Sequence, residues 1–384
     1  MGEGAIVLEG HVQGLSNARS LGELGVPVYV VDVNHCLAQH SKYCKKFFRC
    51  PDYQSDKFSD FLIELAESEQ LRGWFLIASN DHIVENLSRN YDRLSKYYKM
   101  LVPRTDTLEK IIDKRCLMEV AKDSGTHIPA TYDASSIHED GLYRYPLLIK
   151  GSKGLSFYKE MHVKAIQADS FDELRRVVNN LVSRIDGSSY MIQELIPFDD
   201  KHGVVSFTCF AVKGEIKCYW IGKKMREHPI KYGTATSAQS IELRELLEEA
   251  TPLIARLNYT GTCEVEFMFD ERDGCYKLIE INPRTWLWVG LAKACGVDYA
   301  KIMYKYSHDI QVDYPKDYEV GVKWINRLTD SVFAIKSIMR GQLSLFDYFK
   351  SLKGRKVYAI WSWKDPIPGI IFPFMSFYIA RKRK

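Results

Sequence analysis

The chain of 384 residues carries 53 Lys and Arg against 49 Asp and Glu, a formal net charge of +4, and is 46% hydrophobic and 27% charged. So small a charge, with no basic stripe interleaved with aromatics before the last few residues, excludes a nucleic-acid binder held by electrostatics. Nine cysteines, odd in number and without a CxxC pair, suit reduced thiols in a cytoplasmic protein rather than a disulfide framework, and Met1-Gly2-Glu3-Gly4 does not begin a signal peptide.

The length allows two or three domains. Residues 5–9 form a short apolar strand that runs into Gly10-His11-Val12-Gln13-Gly14, and the pattern predicts a helix over 15–24 ending at Gly25, then a strand over 26–32. This is a βαβ opening of the doubly wound type, without the glycine spacing of a dinucleotide fold. A second unit follows: helix 58–70, strand 74–78 and helix 83–90. Ligands bind at the carboxyl ends of such strands, which makes Gly14 and Arg19, and Asn80 and Asp81 after the third strand, candidate substrate residues. For Asn80 and Asp81 helix capping is the competing role; for Arg19 it is a surface ion pair.

From residue 105 the pattern changes. A helix is predicted over 107–124, broken at Gly125, then a strand over 145–150 that delivers Lys150 into the small, basic loop Gly151-Ser152-Lys153-Gly154. Helix 170–181 and strand 190–194 lead to Gln193-Glu194-Leu195-Ile196-Pro197. An antiparallel pair over 206–212 and 215–222 turns at Lys213-Gly214, and a helix over 238–257 precedes the last hairpin.

That hairpin is the most chemical part of the sequence. Alternation in Cys263-Glu264-Val265-Glu266-Phe267 turns Glu264 and Glu266 to one face, and the turn at 270–274 returns Glu280 beside Glu266, with Asn282 one step further. Alternating acids are commonly a solvated face. Glu280 sits instead between Ile279 and Ile281, where an unpaired carboxylate is costly and calls for a cation. Two carboxylates and an amide oxygen form a hard ligand set suited to Mg2+, with Arg284 placed for an anionic oxygen.

In their order, these pieces resemble the ATP-grasp superfamily over about residues 5–310: a preceding α/β domain, Lys114 in Ile112-Asp113-Lys114, Lys150, the glycine loop, the 193–197 hinge, then Glu266 and Glu280-Ile281-Asn282-Pro283-Arg284. Within it the chain is similar to carboxylate–amine ligases of the D-aspartate ligase kind, through Val12-Gln13-Gly14-Leu15, Gly233-Thr234-Ala235 and the segment from Glu280 to Trp286. The resemblance implies an α/β and α+β fold: a Rossmann-like domain over 1–103, a two-subdomain ATP-grasp domain over 104–310, and a helical, apolar and basic-ended extension over 311–384.

It also implies site roles. Lys114, Lys150, Gly151, Ser152, Lys153 and Gly154 would hold the phosphates of ATP. Gln193, Glu194, Leu195 and Ile196 would meet the adenine through their backbone, and Asp199 or Asp200 the ribose. Glu266, Glu280 and Asn282 would bind Mg2+, with Mn2+ a substitute, and Arg284, Lys224 and Arg226 would stabilise the transferred charge. Glu264 falls to a supporting or surface role. The implied reaction activates a small carboxylic acid, an amino acid first, and couples it to an amine of the cell envelope or a surface polysaccharide. The alternatives are a carbamoyl-type small-acid activation and a non-catalytic nucleotide-binding scaffold.

Beyond residue 310 helical spacing runs from 331 to 353, interrupted at Gly341. Residues 366–380 are uncharged and proline-broken, too short to span a membrane, and Arg381-Lys382-Arg383-Lys384 follow. Two expectations stand for residues 366–384: peripheral contact with an anionic membrane at its inner face, or docking on the ligase body or in a homodimer interface.

Overall fold

The computed structural model describes residues 3–153, 156–163, 165–198, 202–228 and 233–382. In the first domain β1 (Ala5–Leu8), α1 (Val12–Glu23), β2 (Val28–Asp32), β3 (Cys44–Arg49), α2 (Asp56–Ser68), β4 (Phe75–Ala78), α3 (Asp81–Arg89), α4 (Tyr91–Leu94) and β5 (Lys99–Met100) build a parallel sheet in the order β3-β2-β1-β4-β5. β1 and β4 are buried throughout, as covered parallel strands must be. The sequence pattern misses β3 because it is a lysine-bearing edge strand with no apolar run.

The helix expected over 107–124 is two helices, α5 (Thr105–Ile112) and α6 (Lys114–Asp123). Asp113 breaks it: extended, it accepts from the backbone N–H groups of Arg115 and Cys116 and so caps α6. Next come β6 (Thr131–Tyr132), β7 (Leu147–Gly151), α7 (Ser156–Met161), β8 (Ala165–Ala168), α8 (Phe171–Val182) and β9 (Tyr190–Glu194), a small sheet of order β6-β9-β7-β8. Its own core lies between β7, β9 and α8, through Leu147, Ile149, Ile192, Leu174 and Leu181.

The larger sheet begins with β10 (Val204–Val212), β11 (Glu215–His228), β12 (Thr234–Ser240), α9 (Glu245–Arg256), β13 (Gly261–Asp270) and β14 (Cys275–Asn282). Residues 238–240, expected as helix, end β12, where β11 and a later strand both pair with it. The face toward α6 and α9 holds Phe207, Val265, Phe267, Leu246 and Leu253. After β14, α10 (Val289–Ala294) and α11 (Tyr299–Ser307) pack between this sheet and α1.

The extension is more than helical. β15 (Lys323–Ile325), α12 (Arg327–Met339), α13 (Leu345–Ser351), β16 (Lys356–Tyr358) and α14 (Ile367–Lys382) follow, and β15 and β16 complete a seven-stranded sheet of order β14-β13-β10-β11-β12-β15-β16. Two buried aspartates stitch it down. Asp365 accepts from Arg19 Nε (2.9 Å), Ser41 Oγ (2.7 Å) and the Lys42 N–H (2.9 Å), while Asp330 accepts from Arg226 and Thr236. No helix among the described residues is long and apolar enough to cross a membrane.

Candidate active site

β13 and β14 run antiparallel with Glu266 opposite Glu280 and Glu264 opposite Asn282, so the four side chains share one face of the hairpin. A register shift follows Glu266, a bulge of the kind that re-aims side chains beside a site. From β11, Lys224 Nζ reaches Glu266 Oε1 at 2.9 Å, and Lys114 Nζ, at the start of α6, stands 3.9 Å from Glu280 Oε2. Burial works against the charge of Lys224, but Glu266 and Glu264 outweigh it and hold the ammonium above its usual range.

Glu264 is not at the surface. It is buried, accepts from Ser206 Oγ (2.8 Å) and Asn282 Nδ2 (3.2 Å), and is pushed up to about 8 by desolvation and by Glu266. Its sequence neighbourhood could not reveal this, because the covering residue, Ser206, comes from β10. Asn282 turns its Nδ2 to Glu264 and Glu280 and its Oδ1 to Arg284 Nη2 (3.1 Å), so its amide has to turn before its oxygen can take a cation.

The small sheet supplies the facing charge. Lys150, near the end of β7, donates to Gln193 Oε1 at 2.7 Å, and Gln193 Nε2 donates to Thr131 Oγ1 at 3.0 Å. Desolvation and then the neighbouring Lys114 push Lys150 down to about 8, against the pull of Glu280. Lys150 makes no ion pair with a carboxylate among the described residues. A half-buried ammonium held only by an amide oxygen fits a phosphate group.

The loop is anchored at its base: the Lys114 N–H donates to Ser152 O (2.8 Å), the Ser152 N–H to Ser189 O (3.0 Å), and a Cβ on Gly151 would press Phe157 at 3.0 Å. Lys153 is exposed, and Gly154 lies outside the described residues. In the hinge, the N–H groups of Glu194 and Leu195 donate to Ala130 O and Pro146 O, and Ile196 is buried. The side chain of Glu194, for which only a backbone role was expected, is buried among Arg272 (3.0 Å), Arg144 (3.3 Å) and Lys277 (3.6 Å). Asp199 and Asp200 lie outside the described residues.

At the other end of the cleft, Arg284 is clamped by Asp81, Nε to Oδ1 at 2.8 Å and Nη2 to Oδ2 at 3.1 Å. This joins the start of α3 to the end of β14, and Asn17 donating to Thr285 Oγ1 at 2.9 Å fixes the same junction. Asn80 caps α3 by accepting from the Ile83 N–H at 2.9 Å. Beside them lies Glu9, a residue not singled out from the sequence. Its φ of 71° is the left-handed region, rare for Glu, and burial raises its pKa above the usual carboxylate range. The available signal was a charge closing an apolar strand at the fold's ligand-binding edge.

Three expected site residues stand elsewhere. Arg226 is held bidentately by Asp330 (2.7 and 2.9 Å) and by Ser351, inside the contact with the extension. Arg19 is bound to Asp365 and lines a cavity of about 770 Å3 between α1, α10 and the segment after β16, which none of the hairpin carboxylates lines. Gly14 serves packing: a Cβ there would lie 2.0 Å from Glu9 O. Trp286 and Trp288 are buried around Trp220.

Lys150 on the small sheet and Lys114 at the start of α6 face a carboxylate hairpin on the large sheet beside a preceding parallel domain, an arrangement suited to a cation and nucleotide phosphates, and the comparisons point to proteins of that kind. Residues 223–314 match the family described as carbamoyl-phosphate synthase L chain, ATP binding domain. The chain is 22% identical over 252 residues to D-aspartate ligase of Enterococcus faecium (strain Aus0004), covering 61% of this chain and 59% of that protein. Among solved structures it is similar to N5-carboxyaminoimidazole synthetase of Staphylococcus aureus, seen also with ADP (TM-score 0.64, 15% identity, 89% and 87% of the two chains). It is similar also to biotin carboxylase of Campylobacter jejuni (0.65, 15%, 83% and 74%) and to L-amino acid ligase of Bacillus licheniformis (0.58, 12%, 80% and 74%). The fold is the ATP-grasp fold expected from the sequence.

Proposed function

We propose that the protein is an ADP-forming carbon–nitrogen ligase that activates a carboxylic acid, an amino acid in the first instance, with ATP and couples it to an amine. The observation that carries this reading is Lys150, a desolvated cation without a carboxylate partner among the described residues, facing a hairpin whose own carboxylates exceed their cations. Lys114 and Lys150 would bind phosphate oxygens, and Gln193 holds Lys150 in place for them. The donors present fit a magnesium ion: Glu266 and Glu280 would hold it, joined by Asn282 once its amide turns, and it would neutralise charge on the transferred phosphoryl group.

Arg284 would receive the acid's carboxylate at the mouth of β14, where Asp81 keeps it oriented. Glu9 and Asp81 would meet an ammonium group on that acid. The carboxylate oxygen displaces ADP from the terminal phosphorus, giving an acyl phosphate; the amine then attacks the carbonyl carbon and phosphate leaves with the acid's oxygen. Lys224, tied to Glu266, would steady the charge passing between these steps. The amines we favour are precursors of the cell envelope or of surface polysaccharides, which would place the enzyme in the cytoplasm at the inner face of the membrane, with residues 366–384 touching it.

A second reading makes the acid small. It rests on the matched carbamoyl-phosphate synthase domain and the likeness to biotin carboxylase. One panel decides between them: purified protein with Mg-ATP, L- and D-amino acids and bicarbonate, each with amino sugars or lipid-linked amines, read by ADP release and product mass. Amino-acid-dependent turnover supports the first reading, bicarbonate-dependent turnover the second. Turnover with none of the acids, together with nucleotide affinity unchanged in Glu280→Ala, defeats both.

A further inference from the structure

α12 is amphipathic the wrong way round. It buries Asp330, Ala334 and Ser337 and turns Leu328, Val332, Ile335 and Met339 outward, a single stripe at spacings of four, three and four. α9 shows what the same fold does with an ordinary helix: it buries Leu246, Ala250, Leu253 and Ile254. The inversion has a local cause, because the buried face of α12 is spent on the Asp330 contacts with Arg226, Thr236 and Tyr348.

α13 continues the surface. It buries no residue and exposes Leu345, Phe346 and Phe349, while Met339 is 81% and Phe346 74% exposed. A groove of about 310 Å3 lined by Leu328 of α12 and Gly369 and Phe372 of α14 makes the third helix a neighbour, and Ile370 and Phe374 of α14 are exposed as well. Apolar surface on this scale marks an interaction site rather than scattered surface residues.

Charge identifies the occupant. Residues 327–384 carry twelve Lys and Arg against three Asp, which leaves the rest of the chain net acidic. Lys336 and Arg340 on and just after α12, Lys350 on α13, and Lys353 and Lys364 beyond are exposed. Two copies of such a face would repel each other, whereas an anionic lipid surface complements it and accepts Phe, Leu and Met side chains at headgroup depth.

We propose that the outward faces of α12 and α13, flanked by α14, form a docking surface for anionic membranes, so that these helices, rather than residues 366–384 alone, carry the membrane contact. The proposal does not depend on the ligase reading, and its test uses no nucleotide.

The full chain is sedimented with vesicles of phosphatidylcholine alone or with roughly a third phosphatidylglycerol. Wild type is expected to pellet with the anionic vesicles and to be released by high salt. The pair Ile335→Glu with Phe346→Glu should weaken binding by at least about tenfold. Lys336→Glu with Arg340→Glu should weaken it by about fivefold per basic charge removed, with a smaller salt response. All four positions are exposed, so circular dichroism and the thermal midpoint should stay as in wild type. Light scattering without lipid supplies the contrary outcome: a wild-type dimer that Ile335→Glu with Phe346→Glu makes monomeric, with vesicle binding unchanged, would identify the face as a protein interface and overturn the proposal. So would failure of wild type to pellet with anionic vesicles.

Discussion

The hairpin β13–β14 has an acidic cluster at each end, and the two differ in how their charge is met. At the turn, Glu194, Asp270 and Asp273 lie close enough to hold a metal ion, yet Lys277 already bonds Asp270 (2.8 Å) and Asp273, and Arg272 bonds Asp270 (2.7 Å) and forms an ion pair with Glu194 (3.0 Å). Asp270 is accordingly held far below the usual carboxylate range, first by its hydrogen bond from Arg272. At the open end, Glu264 is driven up to about 8 and Lys150, across the cleft, down to about 8. In the first cluster each carboxylate already has a cation beside it; the second is strained in both signs and, on the function proposed above, would gain from a ligand that brings cation and phosphate together. Unsatisfied charge, more than acidic density, marks the site.

Substitutions at the two ends should therefore separate function from stability. The largest effect is expected for Glu280→Gln, which should lower kcat by about a thousandfold, some 4 kcal/mol of transition-state stabilisation, with an unchanged unfolding midpoint. Lys277→Met at the turn should do the reverse. It should cost about 3–5 kcal/mol in denaturant unfolding, because it strands buried carboxylates, and leave turnover per folded molecule near wild type.

Lys150 tests the charge argument through pH. Because its pKa lies below the ordinary lysine value, the ammonium is present below about 8 and lost above it. ATP affinity measured by calorimetry should fall as pH rises through about 8. Lys150→Met should bind about 10- to 100-fold more weakly at pH 7 and lose that dependence. The smallest effect serves as a control remote from both clusters: Ser170→Ala removes the cap of α8 and should cost about 1 kcal/mol in stability with nucleotide affinity intact.

Much of this site could be read in advance where chemistry is local. The strand alternation and the Gly274 turn place Glu266 against Glu280, and the apolar strand delivers Lys150, because each depends on period and turn residues within one segment. Residues whose surroundings are set by distant segments were not legible. Glu264 is buried by β10, Arg226 is taken by Asp330, and Arg19 by Asp365 of the extension. β15 and β16 were missed because three-residue strands carry too little period to stand out from loops. The break at Asp113 shows the opposite failing: a capping residue inside a helical pattern was present and was overridden by the apolar spacing around it.

The central claim is that the open end of the hairpin and Lys150 together move a phosphoryl group onto an acid. Turnover with the acid that the panel identifies, labelled with 18O in its carboxylate, tests it most directly. The account predicts one labelled oxygen in each inorganic phosphate released with ADP, because the phosphate leaves with the oxygen that attacked. Unlabelled phosphate, formed while amide product accumulates, would contradict it.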